Sequence, residues 1–174
     1  MQKTALSVEF SVPVSESEKK QAQLLRNEMD ALLEYMSEFH EFFDILAESL
    51  GEVESGKELI SIGNLIVKYK YKLRDHFNNV IRQLSKVLLE SKRLFSETKT
   101  DQIQETIKAN FSEIRLAFID VIHFMEDYSS DDFPSKTVEK YELINKYMSQ
   151  VEIVLRDEWM AHIDKNILTK VKLS

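Results

Sequence analysis

Four long segments of this chain repeat apolar residues at alternating steps of four and three, and this repeat constrains the fold more than any other feature. In the first segment the repeat consists of Leu25, Met29, Leu32, Met36, Phe39, Phe43, Leu46 and Leu50. Residues three and four apart lie on one face of an α-helix. The repeat therefore predicts a helix with one continuous apolar stripe. Similar repeats over residues 59–87, 103–128 and 141–167 predict three more helices.

Helix-end signals divide the chain between these stripes. Ser15 with Glu18 three residues later forms a capping box, and Gly51 is suited to the end of the first helix. A second capping box, Ser55 with Glu58, predicts the start of the next helix. Two polar runs predict the remaining connections, residues 96–100 and 129–135. Because all the connections are short, sequential helices are predicted to pack antiparallel.

The composition agrees with long helices in a single domain. The 174 residues include only three glycines and two prolines, which turn-rich folds need in larger numbers. We therefore predict an all-α protein: a long up-down four-helix bundle over residues 15–174, preceded by a short extended N-terminal arm, residues 1–14. The predicted core includes Leu32, Phe39, Leu73, Leu84, Phe118 and Leu155.

Net charge alternates along the chain. Residues 15–50 carry three basic and nine acidic side chains, whereas residues 57–94 carry nine basic and three acidic ones. Residues 101–133 carry two basic and eight acidic side chains, and residues 135–174 are nearly balanced. Neighbouring helices of opposite charge avoid repulsion, so the alternation favours the up-down order. The net charge of −7 opposes non-specific binding to nucleic acid or anionic lipid.

The sequence lacks cysteine and lacks a long apolar run, and each absence excludes some classes of protein. The chain contains no cysteine, which excludes disulfides, cysteine–zinc sites and thiol nucleophiles. No apolar run reaches the roughly 20 residues of a membrane span, and the N-terminal sequence does not resemble a secretory signal. We expect a soluble, cytoplasmic protein with no transmembrane segment.

The N-terminal arm has the pattern of a β-strand. Leu6, Val8, Phe10 and Val12 alternate with polar residues, and an extended segment places all four on one face. No second strand is evident, so the arm must pair with another molecule, lie along the bundle or remain unpaired. We predict these four residues as partner-binding candidates. Phe42, which lies off the apolar stripe of the first helix, is a fifth candidate.

The four histidines are the first residues to consider for a metal site: His40, His76, His123 and His162, one in each helix. In an up-down bundle their levels spread over roughly 30 Å at 1.5 Å per residue, whereas metal ligands lie about 2 Å from the ion. The Glu-x-x-His pair typical of metal sites in bundles is missing. We predict no metal site and no cofactor.

The last helix contains the sequence RDEWMAH, from Arg156 to His162. This sequence resembles the Arg–polar–x4–His motif of HEPN-domain proteins, which are helical bundles and include many ribonucleases of toxin and defence systems. The resemblance implies a metal-independent ribonuclease in which two copies of the motif meet across a dimer. His162 would act as general acid or base, and Arg156 would hold a phosphate. The alternative is that both are surface residues beside Trp159.

The sequence KYKYKLR, residues 68–74, interleaves cations and aromatic rings, as nucleic-acid and anionic-lipid sites do. On a helix, however, Tyr69 and Leu73 face the core while the lysines spread over the other faces. We interpret this run as the basic complement of the acidic first helix.

No catalytic constellation, phosphate-binding loop or cofactor motif is assembled by these residues. We therefore predict a non-catalytic protein that acts through protein–protein interaction as an adaptor, assembly subunit or inhibitor, with another protein or a second copy as partner. The alternative function is the ribonuclease that would use Arg156 and His162.

Overall fold

The computed structural model describes residues 15–51, 59–95, 97–128 and 132–168. Four long helices account for nearly all of them: α1 spans Glu16–Gly51, α2 Leu59–Leu94 and α3 Glu97–Glu126. Helix α4 starts as an α-helix over Phe133–Val154 and continues through two π-helical stretches, Leu155–Met160 and Ile163–Leu168. The described ranges contain no strand. The predicted N-terminal arm, with Leu6, Val8, Phe10 and Val12, lies outside them.

The helices form an up-down bundle in which sequential neighbours run antiparallel. The start of α1 contacts the end of α2, where Gln83 hydrogen-bonds to Glu28, and the end of α4, where Arg26 pairs with Asp164. Packing is most extensive between α1 and α2 and between α3 and α4, and it is much less extensive between α2 and α3. The predicted long up-down four-helix bundle is confirmed.

The apolar stripes form one core, as the sequence predicts. The six predicted core residues are all at most 7% exposed: Leu32, Phe39, Leu73, Leu84, Phe118 and Leu155. A cluster of aromatic rings crosses the middle of the bundle. The ring centroid of Phe39 lies 5.5 Å from that of Phe77 and 5.8 Å from that of Phe118, and the last two rings stack at 4.1 Å. Tyr141 of α4 extends the cluster through its contact with Phe43.

The first helix begins as predicted. The backbone N–H of Glu18 donates to Oγ of Ser15 at 3.1 Å, and the Ser15 hydroxyl donates to the Glu18 carboxylate. The capping serine therefore satisfies one of the N–H groups that a helix start leaves unpaired. Helix α1 ends at Gly51. The second predicted capping box, Ser55 with Glu58, lies outside the described residues, and α2 begins at Leu59.

Two predicted connections are too long. Helix α3 begins at Glu97, inside the polar run 96–100, and α4 begins at Phe133, inside the run 129–135. A first helical turn requires no apolar residues, so a polar run can already be helical. Pro134 is accommodated because the N–H groups of the first turn have no partner within the helix. Phe133 is buried, which anchors this start to the core.

Candidate protein-binding surface

The two residues of the ribonuclease-like motif contact different parts of the bundle. Arg156 is exposed, and its Nε donates to the carboxylate of Glu152, 3.0 Å away on the same helix. His162 is half-buried, with its ring against Phe95 at the end of α2 and its Nδ1 hydrogen-bonded to the amide of Asn166. Arg156 also lines a groove between α1 and α4, which His162 does not. Within one chain the two residues therefore have different neighbours, and the ribonuclease alternative, which needs two copies of the motif, stays a prediction.

Two further searches of the described residues concern a metal site and a membrane-spanning helix. Within residues 15–51, 59–95, 97–128 and 132–168, no three His, Asp or Glu side chains lie close enough to hold a metal ion. Over the same ranges, no helix combines the length and apolar character that crossing a bilayer requires.

The groove between α1 and α4 has a volume of about 290 Å³ and is lined by three apolar and six polar side chains. The polar ones are Ser37, His40, Asn145, Ser149, Glu152 and Arg156. Nδ1 of His40 lies 2.8 Å from Oδ1 of Asn145. Because an amide oxygen only accepts hydrogen bonds, Nδ1 carries the proton, and Nε2 of a neutral His40 is the acceptor.

Tyr141 completes this polar network beneath the groove. Its hydroxyl donates to Oδ1 of Asp44 at 2.8 Å, and its ring stacks on that of His40. Burial raises the pKa of Tyr141 to about 12, and the Asp44 carboxylate acts in the same direction. The phenol therefore stays neutral at physiological pH. This network fixes the orientation of His40 in the groove wall.

The titratable groups of the groove lie at different levels along the bundle. His40 contacts Asn145, whereas Arg156 pairs with Glu152 at 3.0 Å. Eleven residues separate Asn145 from Arg156 on α4, or roughly 16 Å along the helix axis at 1.5 Å per residue.

A more extended feature is the seam between α1 and α2, formed by two sets of residues that each repeat every seven positions. Glu28, Tyr35 and Phe42 belong to α1, and Tyr69, His76 and Gln83 belong to α2. Nε2 of Gln83 donates to both the carboxylate and the backbone carbonyl of Glu28. The ring of Phe42 lies 5.1 Å from that of Tyr69 and 4.9 Å from that of His76. Phe42 is thus half-buried in the seam.

Apolar residues continue outward from this seam on α1. Leu24, Ala31 and Ile45 lie three or four positions from Glu28 or Phe42, so they stand beside the seam on its solvent side. Leu24 is 45% exposed and Ile45 is 49% exposed. Together with Tyr35 and Phe42 they form an outer apolar stripe. From Leu24 to Ile45 this stripe is roughly 32 Å long at 1.5 Å per residue.

Cations stand on the α2 side of the same seam. Lys72 and Lys86 follow the α2 seam residues by three positions, and Lys68 and Arg82 precede them by one. All four are exposed. Among the described residues, none of the four forms a salt bridge. We call the outer apolar stripe with these four cations the α1–α2 surface.

Of the five residues predicted to bind a partner, Phe42 is the only one within the described ranges, and it lies on this surface. The other members of the outer stripe were missed: Leu24, Ala31, Tyr35 and Ile45. Their signal is present in the sequence as a second apolar series beside the core stripe. From the sequence, Lys68 and Lys72 are interpreted as the basic complement of the acidic first helix and not as part of a binding surface.

Comparisons of the chain with protein-family models, with curated proteins and with solved structures found no match. The functional argument therefore depends on the surface itself.

Proposed function

We propose that this protein is a non-catalytic interaction protein whose α1–α2 surface binds an acidic amphipathic helix of another protein. The observation that carries the proposal is the alignment of the outer apolar stripe with four exposed cations that have no salt bridge in the described structure. An amphipathic helix laid along a seam between two helices is an established mode of recognition. Its apolar face would cover the stripe, and its acidic flank would face α2.

The dimensions of the surface suit such a partner. A stripe of roughly 32 Å corresponds to about 20 residues of helix at 1.5 Å per residue. Tyr35 lies at the middle of the stripe, where aromatic side chains contribute most to binding because water is excluded there, and Phe42 lies one turn from its Ile45 end. Leu24 and Ile45 lie at its two ends and are about half exposed, so a partner would remove substantial apolar area from water.

Two two-fold arrangements place a second copy of the chain on this surface. One sets the cations of two α2 helices against each other, so that like charges face each other. The other sets them beside the exposed carboxylates of α1, Glu34, Glu38 and Glu41, so a second copy is the competing occupant in that arrangement. An acidic partner of different sequence meets the cations in either orientation.

The N-terminal arm is a second element of the proposal. Leu6, Val8, Phe10 and Val12 would add apolar area and an unpaired strand edge next to the start of α1. We propose that the arm contributes to association rather than to the stability of the bundle.

The test is quantitative affinity purification from the native host with the wild-type chain, two surface variants and two matched controls. The surface variants are Phe42→Ala and Lys72→Glu. The controls are Leu116→Ala and Lys108→Glu, which change an exposed leucine and an exposed lysine on α3. We expect one protein to be retained by the wild type and both controls and to be depleted about tenfold or more by each surface variant.

That protein must also contain an acidic amphipathic helix, and a synthetic peptide of this helix must bind the purified chain more weakly as salt is raised. Equal recovery with all five chains would refute the proposal. Recovery of RNA, or sedimentation with phosphatidylserine vesicles, that is lost only in Lys72→Glu would replace the protein partner with a polyanion.

A further inference from the structure

A row of carboxylates borders the outer apolar stripe on α1. Glu34, Glu38 and Glu41 follow each other at steps of four and three, so they lie in line along the helix. Glu34 and Glu41 stand one position before Tyr35 and Phe42, and Glu38 lies one turn from each of these aromatic residues. All three carboxylates are exposed, and none forms a salt bridge with another described residue. We call them the acidic row.

A row of mostly basic residues runs along α2 on the other side of the seam. Positions 68, 72, 75, 79, 82 and 86 also follow each other at steps of four and three, so they lie in line as well. Four of these positions hold the exposed cations of the α1–α2 surface. Asn79 is neutral, and Asp75 is the single carboxylate. We call the four cations the basic row.

The two rows overlap along the bundle. Because α1 and α2 are antiparallel and Phe42 contacts both Tyr69 and His76, Phe42 is level with the residues midway between these two. Glu41 therefore lies at about the level of Lys72. The apolar stripe lies between the rows, and in the part of the chain that the structure describes no salt bridge joins them. The surface therefore presents a negative edge on α1 and a positive edge on α2 to a partner.

We infer that the partner helix is acidic along one flank only, and that its other flank, which lies over α1, is basic. This inference deepens the proposed function and depends on it. A helix with acids on both flanks would set one of them against the acidic row, where like charges repel. A polyanion such as nucleic acid or an anionic membrane has no basic flank, so the acidic row favours a protein helix over those ligands.

The two rows also fix the direction of the partner helix. When a helix keeps its apolar face on the stripe and is turned end to end, its left and right flanks exchange places. Only one direction therefore sets the acids over α2 and the bases over α1. Two helices that carry these flanks in exchanged positions should bind in opposite directions.

The experiment uses synthetic helical peptides with one shared apolar face, measured by fluorescence anisotropy against the full chain. Each peptide has about 22 residues, the length of the outer stripe. Two split peptides carry glutamates along one flank and lysines along the other, and the flanks are exchanged between the two. A mixed peptide has the same composition with both residue types alternating on both flanks. An all-acidic peptide carries glutamate on both flanks.

We expect each split peptide to bind the wild type at least about fivefold more tightly than the mixed and all-acidic peptides, as several rim charge pairs together allow. A triple variant that neutralises the acidic row should bind the split and all-acidic peptides equally. Its substitutions are Glu34→Gln, Glu38→Gln and Glu41→Gln.

The matched control neutralises three exposed carboxylates of α3 by Asp101→Asn, Glu105→Gln and Glu113→Gln. It should retain the wild-type preference for the split peptides. Because both triple variants change the net charge equally, the comparison isolates the position of the charge. Circular dichroism checks that each variant remains helical.

A single spin label measures the direction of binding. The chain has no cysteine, so Gln23→Cys, at an exposed position beside the Leu24 end of the stripe, accepts one nitroxide. Each split peptide carries a fluorophore at its N-terminus. We expect the nitroxide to quench one of the two strongly and the other weakly, and equal quenching of both would refute the inference.

The outcomes separate this inference from the proposed function. If the all-acidic peptide binds the wild type as tightly as the split peptides and Lys72→Glu weakens all of them, the surface binds acidic helices but the flank inference is wrong. If no peptide binds, or if binding is insensitive to both Phe42→Ala and Lys72→Glu, the proposed function itself fails. A chain that sediments as a dimer, and as a monomer in the acidic-row variant, would overturn the inference in favour of a second copy.

Discussion

Phe39 and Phe42 lie three positions apart on α1, and the structure predicts opposite consequences for their removal. Phe39 is 1% exposed and contacts the rings of Phe43, Phe77 and Phe118 with centroids at most 5.8 Å away. Replacing such a phenylalanine with alanine costs about 3–5 kcal/mol, because it leaves a cavity as well as losing buried apolar area. For a chain of this length, that loss lowers the melting temperature by roughly 6–20 °C.

Phe42→Ala provides the matched comparison on the same helix. Phe42 is half-buried, so less apolar area is lost and water can fill the space it leaves. We expect this variant to lose no more than about 1–2 kcal/mol of stability, the range of ordinary substitutions, while it loses binding. Thermal and urea denaturation of both variants, followed by circular dichroism at 222 nm, measure the difference. A Phe39→Ala protein that melts within two degrees of the wild type, or equal losses in both variants, would refute the assignment of core and surface.

Four further outcomes are expected. Leu155→Ala, at a fully buried position within a π-helical stretch, should cost about 2–5 kcal/mol in the same denaturation assay. Burial raises the pKa of Tyr141 to about 12, so the stability that its neutral phenol contributes is complete below pH 10 and is lost as the pH rises to 12. Urea titrations at pH 9 and pH 12 measure this loss of stability, and Tyr141→Phe should make the loss smaller by roughly 2–3 kcal/mol. Deletion of residues 1–12 should leave helicity and melting temperature nearly unchanged but weaken association in light scattering and pull-down; a large loss of stability alone would make the arm part of the core. The purified chain should not cleave RNA without metal, and cleavage that His162→Ala abolishes would establish the ribonuclease alternative.

Helix identity and core membership could be predicted from the sequence because both depend on local periodicity. Every residue of the first apolar repeat, from Leu25 to Leu50, is buried in the structure. The helix starts were less predictable. Glu97 and Phe133 begin helices inside polar runs, because a helical first turn tolerates exposed polar side chains and a proline equally well. Periodicity identifies the face that must be buried, whereas it does not fix where a solvated turn begins.

The candidate surface was less accessible to sequence reasoning because it depends on the handedness of the bundle. Helix α2 can pack on either side of the core stripe of α1, and the apolar repeat does not determine which side. In this structure α2 packs on the side of Glu28 and Phe42, and α4 packs on the side of Arg26 and Asp44. In a bundle of the opposite hand, Phe42 would face α4 instead. The sequence identified Phe42 as lying off the core stripe, but it could not identify the helix whose cations stand beside it.

Exposed apolar residues alone do not distinguish this surface, because α3 also exposes Leu116 and Ile119. Single exposed apolar residues are common on soluble proteins and carry little functional meaning. On α3, however, the neighbouring charged residues are of both signs: Lys108, Glu113, Arg115 and Asp120. On the α1–α2 surface the apolar stripe follows the seam and stands beside the α2 cations Lys68, Lys72, Arg82 and Lys86, with Asp75 as the single carboxylate between Lys68 and Lys86. Because α3 has the first property without the second, variants on α3 test whether charge grouping, and not apolar exposure, determines where a partner binds.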